Sequence, residues 1–361
     1  MLMINEIVHK ENLTKEDIVT LLKAEGEDLK NLFARAAQIK QEFVGNKVYL
    51  RGLIELSNIC AKNCYYCGIR RENVKVDRYS ISDEEVIKAA NFAIQNRYGS
   101  IVIQTGELQS EKNTARIENL LHEIKKLSDN KLGVTLSCGE QTEEVYRRWF
   151  IAGAHRYLLR IETSNEDLYS KLHPNDSNHS FAKRIDCLNT LKKLGYQTGT
   201  GIMIGLPFQT FEHLADDLLF MQNIDIDMCG MGPYIEHIDT PLYVHRESLL
   251  PLDERFRLTL KMLAILRIMM KDINMAATTA LQAIDKIGRE KAIRNGANIL
   301  MPNITPGIYR DSYKLYDNKP CTDESSEDCA GCIDGRMKLA GAEIGYDDWG
   351  DSKRFMNRQF L

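Results

Sequence analysis

The sequence of 361 residues has no long apolar run and no marked excess of charge of either sign. No segment approaches the ~20 consecutive apolar residues that a membrane-spanning helix needs, and the N-terminus lacks the apolar stretch of a signal peptide. With 47 basic and 51 acidic residues, the net charge of −4 offers no general attraction to nucleic acid or to anionic membranes. We therefore expect a cytoplasmic protein that acts on small molecules, with neither a nucleic acid nor a membrane as partner.

The sequence also lacks internal repeats and low-complexity segments, and its 9 cysteines are an odd number. Disulfide frameworks are typical of short secreted chains, whereas cysteines in a large cytoplasmic chain more often bind metal. The spacing of the cysteines therefore carries more information than their number.

Short apolar runs alternate with amphipathic helical stretches from Val48 onward, which is the pattern of a parallel sheet with crossover helices. This alternation predicts an α/β fold, a (β/α)8 barrel of the TIM type over 48–303. A helical segment (1–47) precedes the barrel, and an irregular C-terminal tail (304–361) packs on it. An open, doubly wound sheet is the alternative. The eight predicted strands cover 48–56, 100–106, 133–137, 156–162, 197–205, 227–232, 274–279 and 298–301.

Three cysteines, Cys60, Cys64 and Cys67, follow the first predicted strand, at the end of a barrel where active sites lie. Their C-x3-C-x2-C spacing brings three thiolates together and leaves one iron of a 4Fe–4S cluster without a protein ligand. A zinc site is one alternative, but zinc takes four ligands and no fourth Cys or His lies nearby in sequence. A ferredoxin-type electron carrier is another, but it uses four cysteines in a small domain. The spacing and position together favour a 4Fe–4S cluster with one open iron.

Polar residues at the ends of the predicted strands form a second set of candidates. Arg160 and Glu162 lie two apart on the fourth strand, so both should point into the barrel and contact polar groups of a ligand. The alternative is a mutual ion pair that closes the core. At the other strand ends, side chains either contact a ligand or merely satisfy backbone groups. The further candidates are Thr135, Ser137, Thr278 and Thr279.

The cysteine motif resembles that of the radical S-adenosylmethionine enzymes. In order along residues 48–355, eight segments resemble one branch of that family, which contains biotin synthase, methylornithine synthase and HydE, the maturase of di-iron hydrogenase. HydE is the most similar of the three. The segments are ELSNICAKNCYYCGIRREN, IVIQTGE, VTLSCGE, AHRYLLRIET, DMCGMGPYIEHIDTPL, AATTA, GANILMPNITP and DWGDSKR.

This resemblance implies two cofactors, a 4Fe–4S cluster held by Cys60, Cys64 and Cys67 and S-adenosylmethionine bound to its open iron. An electron from the cluster then cleaves the cofactor and releases a 5′-deoxyadenosyl radical. Gly106 and Glu107 match the family's Gly-Gly-Glu element, in which Thr105 replaces the first glycine. Cofactor contacts are expected from Tyr66, Gly106, Glu107, Ser137, Glu162, Arg184, Met228 and Tyr313. The catalytic cavity is expected to involve Gln104, Thr105, Thr135, Arg160, Thr278, Thr279 and Tyr316.

Three cysteines in the tail, Cys321, Cys329 and Cys332, match a second cluster site that some HydE proteins have and others lack. Such a site would hold a 2Fe–2S or a 4Fe–4S cluster. An empty or zinc-filled surface loop is the alternative.

The resemblance also implies a maturase that acts on a small iron-containing substrate delivered by a companion maturase. An electron donor and a hydrogenase assembly scaffold would be its other partners. An amino-acid mutase resembling methylornithine synthase and a non-catalytic iron–sulfur scaffold are the alternatives. Biotin synthase is disfavoured because its second cluster needs cysteines on inner strands, and IVIQTGE and QTGTGIMIG contain none.

Overall fold

A computed structural model describes residues 4–320 and 326–359 of the chain. The strands in these two ranges are β1 (Lys47–Ser57), β2 (Ser100–Thr105), β3 (Gly133–Ser137), β4 (Arg156–Leu158), β5 (Gln197–Thr200), β6 (Met203–Ile204), β7 (Met228–Cys229), β8 (Gly232–Pro233), β9 (Asn274–Met275), β10 (Ile299–Leu300) and β11 (Glu343–Ile344). The helices are α1 (Ile4–Ile7), α2 (Lys15–Leu22), α3 (Gly26–Phe43), α4 (Asp83–Gln95), α5 (Glu111–Leu127), α6 (Glu143–Ile151), α7 (Glu166–Leu172), α8 (Phe181–Lys193), α9 (Phe211–Asn223), α10 (Leu252–Met269), α11 (Thr279–Ile284), α12 (Gly288–Arg294), α13 (Gly307–Arg310), α14 (Ser326–Ala340) and α15 (Lys353–Gln359). Short 3-10 helices cover Ser177–His179 and Pro241–Ser248.

Eight of the strands pair in parallel in the order β10-β1-β2-β3-β4-β5-β7-β9. The two ends of this path also meet, because the Ala277 amide donates to the Ile299 carbonyl and the Asn298 amide donates to the Met275 carbonyl, at 2.9 and 3.0 Å. The sheet therefore closes on itself. This confirms the predicted (β/α)8 barrel and rules out the open sheet.

Two predicted strands, 197–205 and 227–232, are each broken into two pieces, β5 with β6 and β7 with β8. The break coincides with the guanidinium of Arg160, which donates hydrogen bonds to the carbonyls of Gly230 and Ile202. The Ile202 carbonyl also accepts a hydrogen bond from the Gly232 amide at 3.4 Å, where β6 and β8 resume the pairing. The interruption thus coincides with a charged side chain inside the barrel.

The N-terminal helices begin where the sequence offers a cap. Thr14 accepts a hydrogen bond from the Asp17 amide, and the Asp17 carboxylate accepts one from the Thr14 amide, so α2 opens with a capping box. Ser82 and Glu85 form the same arrangement at the start of α4. The helices α2 and α3 pack on α9 and α10, so they cover the outer helical layer of the barrel.

The tail holds more regular structure than its sequence pattern indicated. It contains α14 and α15, and β11 pairs in parallel with the start of β1 through Lys47↔Glu343 and Val48↔Ile344. The stretch between β11 and α15 closes the N-terminal end of the barrel. There the Asp351 carboxylate accepts hydrogen bonds from Arg156 at 2.8 and 3.1 Å, and the guanidinium of Arg156 is fully buried.

None of the helices in the described ranges is long and apolar enough to cross a membrane.

Replacing Asp351 by Asn should lower the free energy of unfolding by about 3–5 kcal/mol, because the substitution leaves the buried Arg156 without a carboxylate. Burial would raise the pKa of Asp351, but His155 and Arg156 hold it below its ordinary value. The ionised Asp351 carboxylate therefore contributes to the free energy of unfolding above about pH 4, and this contribution is lost as the pH falls. Urea denaturation of the reconstituted protein at several pH values measures both effects.

The matched control is Glu27→Gln, which removes an exposed ion pair with Lys30. It should change the unfolding free energy by less than about 1 kcal/mol. An Asp351→Asn variant as stable as this control would contradict the role assigned to the Arg156–Asp351 pair.

Candidate active site

A cavity of about 360 Å³ lies at the carboxyl ends of the barrel strands, where a (β/α)8 barrel places its functional groups. Residues from the loop after β1, from the ends of β2, β3, β4 and β6, and from β8 line it. The tail contributes a wall as well, through Tyr313, Leu315, Tyr316, Lys319 and Pro320.

Most of the residues predicted from the sequence meet in this cavity. Its lining includes Cys60, Cys64, Tyr66, Cys67, Gln104, Thr105, Gly106, Glu107, Ser137, Arg160, Glu162, Arg184, Thr278, Thr279, Tyr313 and Tyr316. These side chains come from positions 60 to 316, so only the closed barrel brings them together.

Thr135 and Met228 do not line the cavity, in contrast to the prediction. Thr135 shares a face with Ser137 but lies two residues, about 6.6 Å, lower along β3. Met228 likewise lies below Gly230, which does line the cavity, and its sulfur accepts a hydrogen bond from the buried guanidinium of Arg51 at 3.0 Å. Both residues therefore lie beneath the cavity.

Of the three tail cysteines, Cys332 is the one whose side chain the structure describes. Cys332 is exposed on α14 and does not line the cavity. Cys321 lies outside the described residues, and the side chain of Cys329 is outside them as well. The predicted second cluster therefore stays a prediction.

The thiols of Cys60, Cys64 and Cys67 lie on one loop between β1 and α4. Burial raises the pKa of all three, that of Cys64 to about 12 with a further contribution from Cys60. A buried thiolate therefore needs a nearby positive charge, which the iron atoms of a cluster supply. The donor set fits a cluster with three cysteine ligands.

Three thiols on one short loop match the number of cysteine ligands of a 4Fe–4S cluster with one open iron. In the described part of the chain, no group of three or more His, Cys, Asp or Glu side chains is placed to hold a single metal ion. The cysteines of a cubic cluster each bind a different iron, so they need not converge on one point.

The ends of β1 and β2 hold the loop in place. The Gly106 amide donates to the Ser57 carbonyl at 2.7 Å, and the Ala61 amide donates to the Glu107 carbonyl at 2.8 Å. The Glu107 amide also donates to the sulfur of Cys60 at 3.3 Å. Gly106 is required here because a Cβ atom would lie 2.3 Å from the Ile59 carbonyl oxygen.

Arg78 is a residue that the sequence did not single out. Its Nη1 donates to the carbonyls of Asn58 and Ile69, at 2.7 and 2.8 Å, which lie on either side of the three cysteines. Its Nη2 donates to the carbonyls of Arg70 and Asn73, at 2.6 and 3.1 Å. One guanidinium therefore joins the two ends of the cysteine loop.

Four buried charges lie beside this loop: Lys62, Glu107, Glu140 and Arg184. The Lys62 ammonium is 3.0 Å from Glu107 and 2.9 Å from Glu140, and Arg184 is 3.6 Å from Glu107 and 2.8 Å from Glu140. Burial alone would lower the pKa of Lys62 and of Arg184, but the two carboxylates raise both above their ordinary values. We refer to these four residues as the charge quartet.

Three atoms of the charge quartet are buried without a hydrogen bond among the described residues: Glu107 Oε1, Glu140 Oε1 and Arg184 Nε. Their ion-pair distances are short, but the approach angles are unsuited to hydrogen bonds. Of these residues, Glu107 and Arg184 line the cavity, and a carboxylate oxygen and a guanidinium N–H that lack hydrogen bonds complement an ammonium and a carboxylate. The site therefore fits the amino-carboxylate end of S-adenosylmethionine.

Arg160 and Glu162 both line the cavity, and they also form the mutual ion pair that was the alternative. The two contacts, Nε to Oε1 and Nη2 to Oε2, are both 2.8 Å. Glu162 has a left-handed backbone with φ of 66°, which is uncommon for a residue other than glycine. The Glu162 and Ile161 amides both donate to the Gly201 carbonyl, so the strand bulges at this point.

Glu55 and Lys319, which also line the cavity, form an ion pair that the sequence analysis missed. Lys319 reaches from the tail to the Glu55 carboxylate, and Asn303 donates to the same carboxylate at 3.2 Å. Burial raises the pKa of Glu55, while Lys319 opposes that rise. The sequence held a signal for this site, because Glu55 interrupts the otherwise apolar end of the first strand run.

Comparisons with known proteins agree with this geometry. The family model of the radical SAM superfamily matches residues 54–221. The FeFe hydrogenase maturase subunit HydE of Thermotoga maritima is 46% identical over 323 residues, which cover 90% of this chain and 89% of that protein. The biotin synthase of Bacillus cereus (strain AH820) is 26% identical over 266 residues, which cover 73% of this chain and 76% of that protein.

Among solved structures, that of methylornithine synthase (PylB) covers 96% of this chain and 98% of that chain, with a TM-score of 0.79. Its sequence identity is 23%, so this likeness concerns the fold alone.

A relative that is 46% identical over about nine tenths of both chains is sufficient to assign the family. The chain is an iron–sulfur, S-adenosylmethionine-dependent enzyme of the radical SAM superfamily. Within that superfamily it belongs to the family of the maturase HydE.

Replacing Arg78 by Ala should reduce the iron bound per chain after anaerobic reconstitution and speed the loss of iron to a chelator. The reason is that two hydrogen bonds from a charged donor, each worth about 1.5–3 kcal/mol, no longer join the ends of the cysteine loop. Arg78→Lys should fall between Ala and the wild type, because an ammonium cannot contact both carbonyls in the same fixed geometry.

The control for Arg78 is Arg71→Ala, which removes an exposed guanidinium on the same segment. Its iron content should match the wild type. Equal iron content and equal rates of iron loss to the chelator in Arg78→Ala and Arg71→Ala would show that the cluster does not need the Arg78 hydrogen bonds.

Proposed function

We propose that this enzyme matures the cluster of a di-iron hydrogenase, as the name of its HydE relative indicates for that protein. The observation that carries the radical chemistry is that three cysteine thiols and the charge quartet line one cavity. When bound, a 4Fe–4S cluster supplies the electron that cleaves S-adenosylmethionine to methionine and a 5′-deoxyadenosyl radical.

The protein's own residues would bind and orient the cofactor. We assign Glu107 to its ammonium and Arg184 to its carboxylate, because each presents a buried atom without a hydrogen bond. Tyr66 and Glu162 line the same cavity and would contact the adenosyl group. Ser137 and Tyr313 complete this side of the cavity.

The remaining cavity residues would hold the substrate. Gln104, Thr105, Thr278, Thr279 and Tyr316 line it with polar groups. Arg160 is paired with Glu162, so its guanidinium becomes available to a substrate when Glu162 turns to the cofactor. The tail wall keeps water away from a reactive radical, which would otherwise be quenched.

The substrate we propose is a small iron-containing compound made by a companion maturase. A reducing electron donor and a hydrogenase assembly scaffold would complete the set of partners. Reduced thiols at the cluster loop are compatible with the cytoplasm, where thiols stay reduced.

Replacing Cys60, Cys64 or Cys67 by Ala should abolish the formation of 5′-deoxyadenosine from S-adenosylmethionine under strong reductant, because each thiolate holds a different iron. Cys138→Ala is the matched control, since Cys138 is buried outside the cavity. Chromatography of the products measures the outcome. Undiminished cleavage in any of the three cavity variants would disprove the cluster assignment.

The maturation step has a separate test. Expressed in a host that lacks its own HydE but retains a di-iron hydrogenase and the other maturases, the wild type should restore hydrogenase activity. Cleavage of the cofactor without restored hydrogenase would instead point to another radical reaction, such as an amino-acid mutase. Absence of cleavage by the wild type would point to a non-catalytic scaffold.

We also propose that Cys321, Cys329 and Cys332 hold a second cluster that the radical reaction does not need. The exposure of Cys332 on α14, away from the cavity, supports an auxiliary role. A triple Cys→Ala variant should lose iron and a paramagnetic resonance signal while 5′-deoxyadenosine formation stays within about twofold of the wild type. Unchanged iron and spectra would remove the second cluster, and lost cleavage with the first cluster intact would refute its dispensability.

A further inference from the structure

Two members of the charge quartet, Lys62 and Glu140, have no assigned part in the chemistry. Glu140 is fully buried, and Lys62 lies between the first two cysteines of the cluster loop. Glu140 does not line the cavity, so it reaches a ligand only through its neighbours. What these two residues contact therefore decides what they do.

Lys62 and Glu140 each contact side chains of opposite charge. Each of them also contacts one residue that is proposed to bind the cofactor. Lys62 bridges Glu107 and Glu140, at 3.0 and 2.9 Å. Glu140 bridges Lys62 and Arg184, at 2.9 and 2.8 Å. The four charges sum to zero, which is the condition under which buried charges are tolerated.

The same contacts do not satisfy the hydrogen-bonding capacity of the two cofactor-binding residues. Glu107 Oε1 lies 3.0 Å from the Lys62 ammonium and Arg184 Nε lies 2.8 Å from Glu140 Oε1, but neither Glu107 Oε1 nor Arg184 Nε makes a hydrogen bond. These ion pairs fix the two side chains. Space for the Glu107 carboxylate depends on Gly139, whose φ is 73° and where a Cβ atom would lie 2.2 Å from Glu107 Oε2. Before a ligand binds, the side chains of Glu107 and Arg184 are thus fixed and their charges compensated, but their hydrogen-bonding capacity is not fully used.

We propose that Lys62 and Glu140 are positioning residues that hold Glu107 and Arg184 ready for the α-ammonium and the α-carboxylate of S-adenosylmethionine. This inference rests on the cofactor contacts assigned under the proposed function. Without Glu140, Glu107 is the one carboxylate of the quartet left to compensate both cations, so it is less available to a ligand ammonium. Without Lys62, Arg184 is the one cation of the quartet left to compensate both carboxylates, so it is less available to a ligand carboxylate.

Lys62 also connects the cofactor site to the cluster loop. The Glu107 carboxylate lies 3.0 Å from the Lys62 ammonium, and the Glu107 amide donates a hydrogen bond to the sulfur of Cys60 at 3.3 Å. A ligand ammonium at Glu107 therefore acts on a residue that hydrogen-bonds a cluster ligand. Hydrogen bonds to the sulfurs are one of the factors that set the potential of such clusters.

The test compares two stable ligands, S-adenosylhomocysteine and methylthioadenosine. Both are uncharged at sulfur and carry the same adenosyl group, but only the first has an amino-carboxylate end. Calorimetric titration of the reconstituted full-length protein gives the ratio of the two dissociation constants, which reports on the amino-carboxylate site alone. A poorly folded preparation lowers the number of sites per chain and leaves this ratio unchanged.

In Glu140→Gln and in Lys62→Met, S-adenosylhomocysteine should bind about 10- to 100-fold more weakly, while methylthioadenosine changes by less than about twofold. The double variant restores a net charge of zero, so its loss should be smaller than the product of the two single losses. Lys183→Met is the matched control: Lys183 also lies near Glu140, at 3.9 Å, but it is 45% exposed. Its two affinities should equal those of the wild type.

Equal losses for both ligands, or an unchanged ratio in both single variants, would overturn the proposal. A loss in Lys183→Met as large as in Lys62→Met would overturn it too, because any nearby cation would then suffice. Neither ligand is cleaved, so these results are independent of radical formation. If the variants show the expected ratios of dissociation constants but the wild type makes no 5′-deoxyadenosine, this proposal is supported and the proposed function is disproved.

Discussion

Burial of charge at the carboxyl end of the barrel is the constraint on which the rest of the site depends. Lys62, Arg184, Glu107 and Glu140 are all less than one tenth exposed in their side chains. Charges in such surroundings persist only when each has a partner of opposite sign at short range. These four residues come from the loop after β1, the loop after β2, the loop after β3 and helix α8, so the first strands of the barrel must pair before the charges are compensated.

Neighbouring segments also fix the cysteine loop. Its ends are joined by the guanidinium of Arg78, and its middle is hydrogen-bonded to the loop that follows β2. A loop held at both ends and in the middle has little conformational freedom to lose when it binds a cluster. The thiols are also buried beside the cofactor-binding pair Glu107 and Arg184. Cluster and cofactor sites are therefore parts of one rigid unit.

The tail contacts both ends of the barrel. At the N-terminal end, Asp351 compensates the buried Arg156, and at the carboxyl end Lys319 compensates the buried Glu55. In each case the barrel interior holds one charge and the tail brings the other. Two charged positions inside the strands thus explain why a segment beyond the last barrel strand packs closely on the barrel.

The sequence by itself determined the eight strands of the barrel, the cysteine loop after the first of them, and the Gly-Glu end of the second. Each of these depends on spacing within a few residues, because a strand alternates every two residues and three cluster ligands can come from one short loop. The resemblance to known enzymes carried the assignment further, to Arg184, Tyr313 and Tyr316, which no local pattern indicates.

Only the tertiary structure decided how deep each inward-facing residue lies and which charges meet. Alternation shows that Thr135 and Ser137 share a face, but the height of the cavity floor above Thr135 depends on side chains from the other strands. Glu140 and Arg78 are ordinary polar residues in sequence, and their roles arise from carbonyls and cations far along the chain or across a loop. Such partners are set by the closed barrel, because electrostatic compensation depends on distance in space and not on distance in sequence.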